Sequence, residues 1–220
     1  ENGISKMSGI IKYYSANELP NTIKHSFLLA GISSQYLLTK ENTLYAGISQ
    51  AYRPVIFKDI IPASTYEQVD KNLKDAYGYN IELGIRGKLN SRLQYDISYF
   101  TLLYKNRLGT MVLQDNMGQS YTYKTNIGNS RTDGVELFVQ YKFPLTNKIY
   151  AGLFTSTSYM NARYIKGEVT DGTKNQSIVG NRVEAVPQWI SRNGLDLLYK
   201  GFGCTILYNY TSSSFSDALN

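Results

Sequence analysis

Four times along this chain, two runs of alternating apolar and polar side chains face each other across a short turn. In AYGYNIELGIRGKLNSRLQYDISYFTLLYK, residues 76 to 105, Tyr79, Ile81, Leu83 and Ile85 share one parity, while Asn80, Glu82, Gly84, Arg86 and Lys88 take the other. Beyond Asn90-Ser91, the apolar set is Leu93, Tyr95, Ile97, Tyr99 and Leu103, opposite Arg92, Gln94, Asp96 and Ser98. Period two marks a strand with unlike faces, whereas a helix would repeat its apolar residues at spacings of three and four. Both runs outlast the roughly 5–6 residues usual in globular sheets.

The pattern recurs over residues 25 to 54, with a turn at Thr39 to Asn42. It recurs where Val135, Leu137, Val139, Tyr141 and Phe143 oppose Glu136, Gln140 and Lys142; a turn is expected at Pro144 to Asn147, and Ile149, Ala151 and Leu153 resume the apolar parity. In the last hairpin, Leu195, Leu197 and Tyr199 oppose Arg192, Gly194, Asp196 and Lys200; Phe202, Cys204, Ile206 and Tyr208 come after a turn near Gly201. The sum is about eight strands in four hairpins. Residues 53 to 75 and 163 to 186 form long polar connections that alternate with the short turns. That asymmetry fits a transmembrane barrel, with periplasmic turns on one side and extracellular loops on the other.

Charge decides which medium each face meets. The polar parity holds Arg86, Lys88, Arg92, Asp96, Glu136, Lys142, Arg192 and Asp196, which a dry second layer would accept only at heavy desolvation cost. A wet or plug-filled lumen accepts them, so Ile81, Leu83, Ile85, Leu93, Ile97, Val135, Leu137, Leu195 and Leu197 are expected to face lipid. The fold class is therefore all-β, an antiparallel transmembrane β-barrel segment. Along residues 121 to 134 the odd positions Asn129, Arg131 and Asp133 are polar, although apolar residues hold that parity from Val135 onward. The expectation is a strand rising above the membrane rather than a bulge that resets the phase.

Composition agrees with this. Of 220 residues, 42% are hydrophobic and 18% charged, yet no run nears the roughly 18 apolar residues of a membrane helix. Twenty tyrosines suit strands and membrane boundaries. The single Cys204 excludes an internal disulfide or a multi-cysteine metal site, and the single His25, placed in a loop or at a strand end, supplies no histidine pair. The net charge of +6 is scattered without a basic run, which argues against nucleic acid. The opening ENGISKMSGIIKYYS lacks the pattern of a secretory leader.

From about Ser26 onward the chain resembles the barrel of TonB-dependent outer-membrane receptors, nearest the ferric-citrate and ferric-siderophore group. LYAGISQAYRP (44–54) is similar to a family strand ending in aromatic-Arg-Pro, and YNIELGIRGKL to its Asn-Tyr-Glu-x-Gly strand, although the usual preceding Pro-Glu is replaced around Lys74-Asp75. TNIGNSRTDGVELFVQY carries Asn126, Gly128, Gly134 and Glu136 at the family spacing; GNRVEAVPQW and SSFSDALN come next in family order. The resemblance implies a barrel of about 22 strands closed around an N-terminal plug. Residues 1–220 are then expected to be part of one outer-membrane β-barrel domain, with plug, TonB-contacting segment and closing strands outside this sequence.

The function so implied is transport of an iron chelate, a ferric siderophore or ferric-citrate-like ligand, as cargo with no covalent cofactor. Its partners would be outer-membrane lipid, the TonB energy-transducing complex and the ferric chelate. Candidate ligand-binding residues on the extracellular loops are Arg53, Lys58, Lys71, Lys74, Arg163 and Arg182, with Lys166 and Lys174 as further loop cations and Tyr66, Tyr77 and Tyr164 as aromatic faces. Each has a plainer role available, since loop cations are commonly solvated or meet lipid headgroups, and tyrosines mark the membrane boundary. Cobalamin and carbohydrate remain alternative cargoes; haem fits poorly with one histidine. A closed eight-stranded anchoring barrel is the structural alternative. An enzyme fits least, because Asp96, Asp133, Glu136 and Asp196 lie on different strands without a nucleophile motif.

Overall fold

Strand after strand, the alternating runs pair with their neighbours in sequence. The computed structural model describes residues 3–7, 10–14, 25–64 and 66–220. Strands β1 (Gly3–Met7) and β2 (Ile10–Tyr14) form an antiparallel pair of their own, in a segment to which alternation assigned no strand. The main sheet is built from β3 (Gly31–Leu37), β4 (Asn42–Arg53), β6 (Ala76–Leu89), β7 (Leu93–Gln114), β8 (Ser120–Thr146), β9 (Ile149–Thr170), β11 (Trp189–Tyr199) and β12 (Phe202–Thr211). These eight run as an antiparallel meander in that order. Off the path, α1 (Phe57–Ile60) and β5 (Glu67–Val69) lie between β4 and β6, and β10 (Asn175–Ser177) pairs with β9. The end strands β3 and β12 do not pair with each other, so the sheet is open and the closed eight-stranded barrel is excluded for these residues.

Register sorts the side chains as the alternation requires. One cross-strand row runs Ala46, Leu83, Tyr99, Val135, Tyr159 and Trp189; the adjacent row on the opposite face runs Tyr45, Gly84, Ser98, Glu136 and Ser158. Ile81, Ile85, Ile97, Leu137, Leu195 and Leu197 share the first face, which carries no second layer among the described residues: Leu83 is 52% exposed and Ile206 58%. The buried apolar cluster lies instead at the end away from the short turns. There Ile127, Ala162 and Tyr164 of the long strands meet Ile178, Val183 and Ala218 of segments that fold back onto them.

Two details depart from the sequence pattern. Pro144 to Thr146 continue β8, and the chain reverses at Asn147-Lys148. The register breaks between Pro144 and Thr146, where the missing proline N–H is tolerated. Residues 121 to 134 do belong to a long strand, but irregularities also occur between Tyr104 and Leu108 and between Asn129 and Ser130, so a bulge is present after all. No shift separates Arg131 and Asp133 from Val135. Their polarity is therefore a change in the outer face itself. At 22 and 27 residues, β7 and β8 reach about 75–90 Å along the strand, far beyond the roughly 25 Å apolar band of an outer-membrane barrel.

Candidate functional site

The polar face of the sheet lines a trough of about 720 Å³ whose wall includes Tyr45, Glu82, Arg86, Asp96, Ser98 and Glu136. Tyr45 lies flat across Gly84, its cross-strand partner, and donates its hydroxyl to Asp96 Oδ1 at 2.7 Å. A Cβ at Gly84 would collide with that ring. The same device recurs twice: Phe100 covers Gly134 and Phe154 covers Gly194, each pair in direct register. Glycine thus lets large inward rings lie along the wall. The Arg86 guanidinium stands 5.3 Å from the Tyr45 ring, opposite Asp96 in register, so charges of both signs are spread along the wall.

At the far end, residues 54–75 form a strap onto the β7–β8 hairpin. β5 pairs in parallel with Thr122–Lys124 of β8. Asp59 accepts from Arg53 at 3.1 Å and from the Ile56 N–H at 3.1 Å, with Lys124 Nζ 4.0 Å away. Lys74 bonds the Asn126 side chain through both its N–H and its carbonyl. Burial raises Asp70, but hydrogen bonds from Thr125, the Asn72 N–H and Tyr123, together with the Lys74 charge, hold its carboxyl below the usual range. At the base of the strap, burial likewise pushes Asp75 up, and bonds from Tyr52, the Val55 N–H and His25 outweigh it and lower its pKa. His25, 3.0 Å from Asp75, is a structural clasp here.

A second lock holds residues 178–186. Tyr164, 1% exposed, donates to Glu184 Oε2 at 2.7 Å; Glu184 Oε1 accepts from Arg107 at 3.3 Å. The Arg107 guanidinium also lies over the rings of Tyr104 and Tyr164. Burial, then the bond to Glu184, pushes the Tyr164 hydroxyl up to about 12.

These placements divide the candidate ligand residues. Lys58, Lys71, Lys74 and Tyr66 sit together on the strap with exposed side chains, Tyr66 being 71% exposed. Arg53 ends β4 at the foot of the strap and is engaged by Asp59. Tyr164 is withdrawn into the core and offers no face to a ligand. Arg163 and Arg182 form a bridge on the outer face of the sheet, away from the trough. Of the four carboxylates weighed for chemistry, Asp133 lies on the outer face with Arg131, apart from Asp96, Glu136 and Asp196 on the inner one. Sequence reasoning passed over Arg107, Glu184, Asp59 and Asp75, because their roles arise from contacts 77, 6 and 20 residues away in the chain.

An open antiparallel wall with an apolar exterior, a charged interior and long straps at one end is what the comparison with known proteins matches. Residues 12–220 fit the family described as TonB dependent receptor-like, beta-barrel. The chain belongs to that family of TonB-dependent receptors. The family is one of receptors, and among the similar structures YddB from Escherichia coli is described as an outer membrane transporter. No curated protein sequence matches the chain. Among solved structures it is similar to the ferric citrate transporter FecA in its unliganded form, with 22% identity and a TM-score of 0.62, covering 87% of this chain and 26% of that one. It is also similar to the siderophore receptor PiuA from Acinetobacter baumannii, at 19% identity and a TM-score of 0.61, covering 87% and 26%. A third is the copper transporter OprC, at 17% and 0.59, covering 86% and 28%. These likenesses concern the fold, and the receptor barrel segment spans about a quarter of the length of each.

Proposed function

We propose that this segment is part of the barrel domain of an outer-membrane receptor that takes up an iron chelate of the ferric-citrate or siderophore kind. Energy would come from TonB acting through regions outside these residues, with a plug filling the charged lumen. Family membership supports receptor and transport; the names of a ferric citrate transporter and a siderophore receptor among the similar structures point toward iron. The observation that carries the anionic-chelate reading is the strap, a braced unit that presents Lys58, Lys71, Lys74 and Tyr66 to solvent with no ion pair to any of the three lysines among the described residues. Cations held on a rigid rim attract negative charge over about a Debye length and lose little entropy on binding.

The test is equilibrium binding of ferric citrate and of an anionic ferric siderophore to the full-length receptor, with Lys58→Gln, Lys71→Gln and Lys74→Gln made singly and surface abundance checked. A contact residue should weaken binding by well over the fraction of a kcal/mol expected of an exposed pair, and salt should weaken it further. Unchanged affinity in all three variants, or uptake of a neutral cargo indifferent to salt, would remove the anionic chelate and leave the family assignment intact.

A further inference from the structure

Three arginines stand side by side on the outer face. Arg131 of β8 is in direct register with Arg163 of β9, and Arg163 forms an antiparallel bridge with Arg182. The flanking hydrogen bonds run from the Tyr164 N–H to Asn181 and from the Val183 N–H to Ala162. Arg163 and Arg182 are thus the closer, non-hydrogen-bonded type of pair, with both side chains on one face. That face is the exterior, because Ala162, Tyr164 and Val183, their neighbours in sequence, are buried in the inner cluster.

Like charges directly across strands repel. Among the described residues, only Arg131 of the row has a counter-charge, Asp133, at 2.8 Å. Arg163 is steered by the Asn161 side chain at 3.1 Å and the Gly180 carbonyl at 2.6 Å, and Arg182 rests over the Phe215 ring at 5.5 Å. Neither forms an ion pair among the described residues. The fold therefore uses polar and aromatic contacts to hold unneutralised guanidinium groups in line.

Their height is set by the ring pair Tyr159–Trp189, whose centroids are 4.8 Å apart at the top of the apolar exterior, where a membrane-boundary aromatic belt belongs. Arg163 is four residues beyond Tyr159. At about 3.4 Å per residue and a strand tilt of about 40°, the row stands about 10 Å above the belt. Phosphate groups of the outer leaflet lie at that level, and planar guanidinium forks match phosphate oxygens in pairs.

We propose that the Arg131–Arg163–Arg182 row binds the phosphate of an outer-leaflet lipid headgroup from outside the barrel wall. Arg163 and Arg182 then serve the membrane rather than the transported ligand. The experiment uses the full-length receptor, stripped of co-purified lipid and titrated in native mass spectrometry with lipid A carrying its phosphates or with the same lipid dephosphorylated. The unaltered receptor should prefer the phosphorylated form by about tenfold, the size of one charge-assisted contact. R163Q/R182Q should abolish the preference and R163K/R182K keep part of it, with ferric citrate affinity unchanged in both. Equal retention of the two lipids by the unaltered receptor overturns the proposal without recourse to any variant. Displacement of the lipid by inorganic phosphate at equal concentration overturns the lipid as the source of the phosphate. Loss of ferric citrate binding in R163Q/R182Q, with lipid preference intact, returns the arginines to the transport site.

Discussion

Replacing Tyr164 by Phe should free the segment 178–186 while leaving the sheet in place. The substitution keeps the buried ring and its contact with Arg107, and deletes only the hydroxyl that donates to Glu184 at 2.7 Å. A hydrogen bond to a charged acceptor contributes about 1.5–3 kcal/mol. The Glu184 side chain is 32% exposed, so water can reach the orphaned oxygen and the lower end of that range applies. About 1.5 kcal/mol corresponds to roughly a tenfold rise in local opening. The reporters are the amides of Ile178, Gly180 and Val183, bonded to Gly167, Tyr164 and Ala162 respectively. Hydrogen exchange tracked by mass spectrometry reads these openings directly, without requiring reversible unfolding of the whole barrel. Glu184→Gln should act similarly, and the double variant should cost less than the sum of the two, because both delete one contact. Unchanged protection at all three amides, or a rise spread equally over β6 and β7, would refute the lock.

Leu195→Arg, on the apolar exterior of β11 and six residues from Trp189 toward the short turn, should lower stability in lipid vesicles by about 2–4 kcal/mol, measured by urea titration; no loss there would mean the faces are inverted. Gly84→Val should drive the Tyr45 ring off the wall and break its bond to Asp96, at about 1–3 kcal/mol for overpacking, seen as a lowered urea midpoint. The Asp75 clasp should be pH-dependent: a carboxylate held below its unfolded pKa of about 3.8 stabilises the strap above that value and releases it as pH falls through and below it. Protease cleavage within residues 54–75 should therefore rise from pH 5 to pH 3 in the native receptor and be high already at pH 5 in Asp75→Asn. An epitope tag in residues 54–75 should bind antibody on intact cells and a tag at Asn147 should not, since these lie at opposite ends of the sheet.

Alternation alone determined the eight strands of the meander, three of its four short turns and the face of every residue from Tyr79 to Leu89, because a strand has a period of two and the charges on one parity leave no freedom in which side meets solvent. Composition excluded membrane helices, and the order of weak motifs carried the family. What local pattern did not hold was anything that depends on how strands stack sideways. Pro144 looked like a turn residue and is a strand residue at a register break; Tyr164 looked like a rim aromatic and is the centre of the buried cluster. Arg53 and Arg163 were equally basic loop residues in one dimension. Tertiary structure gave one a carboxylate, Asp59, and the other a row of like charges on the exterior. The physical reason is that charge and polarity are properties of a residue, legible in sequence, whereas neutralisation, burial and the side of a wall are set by partners up to 77 positions away, brought together only by the register of the sheet.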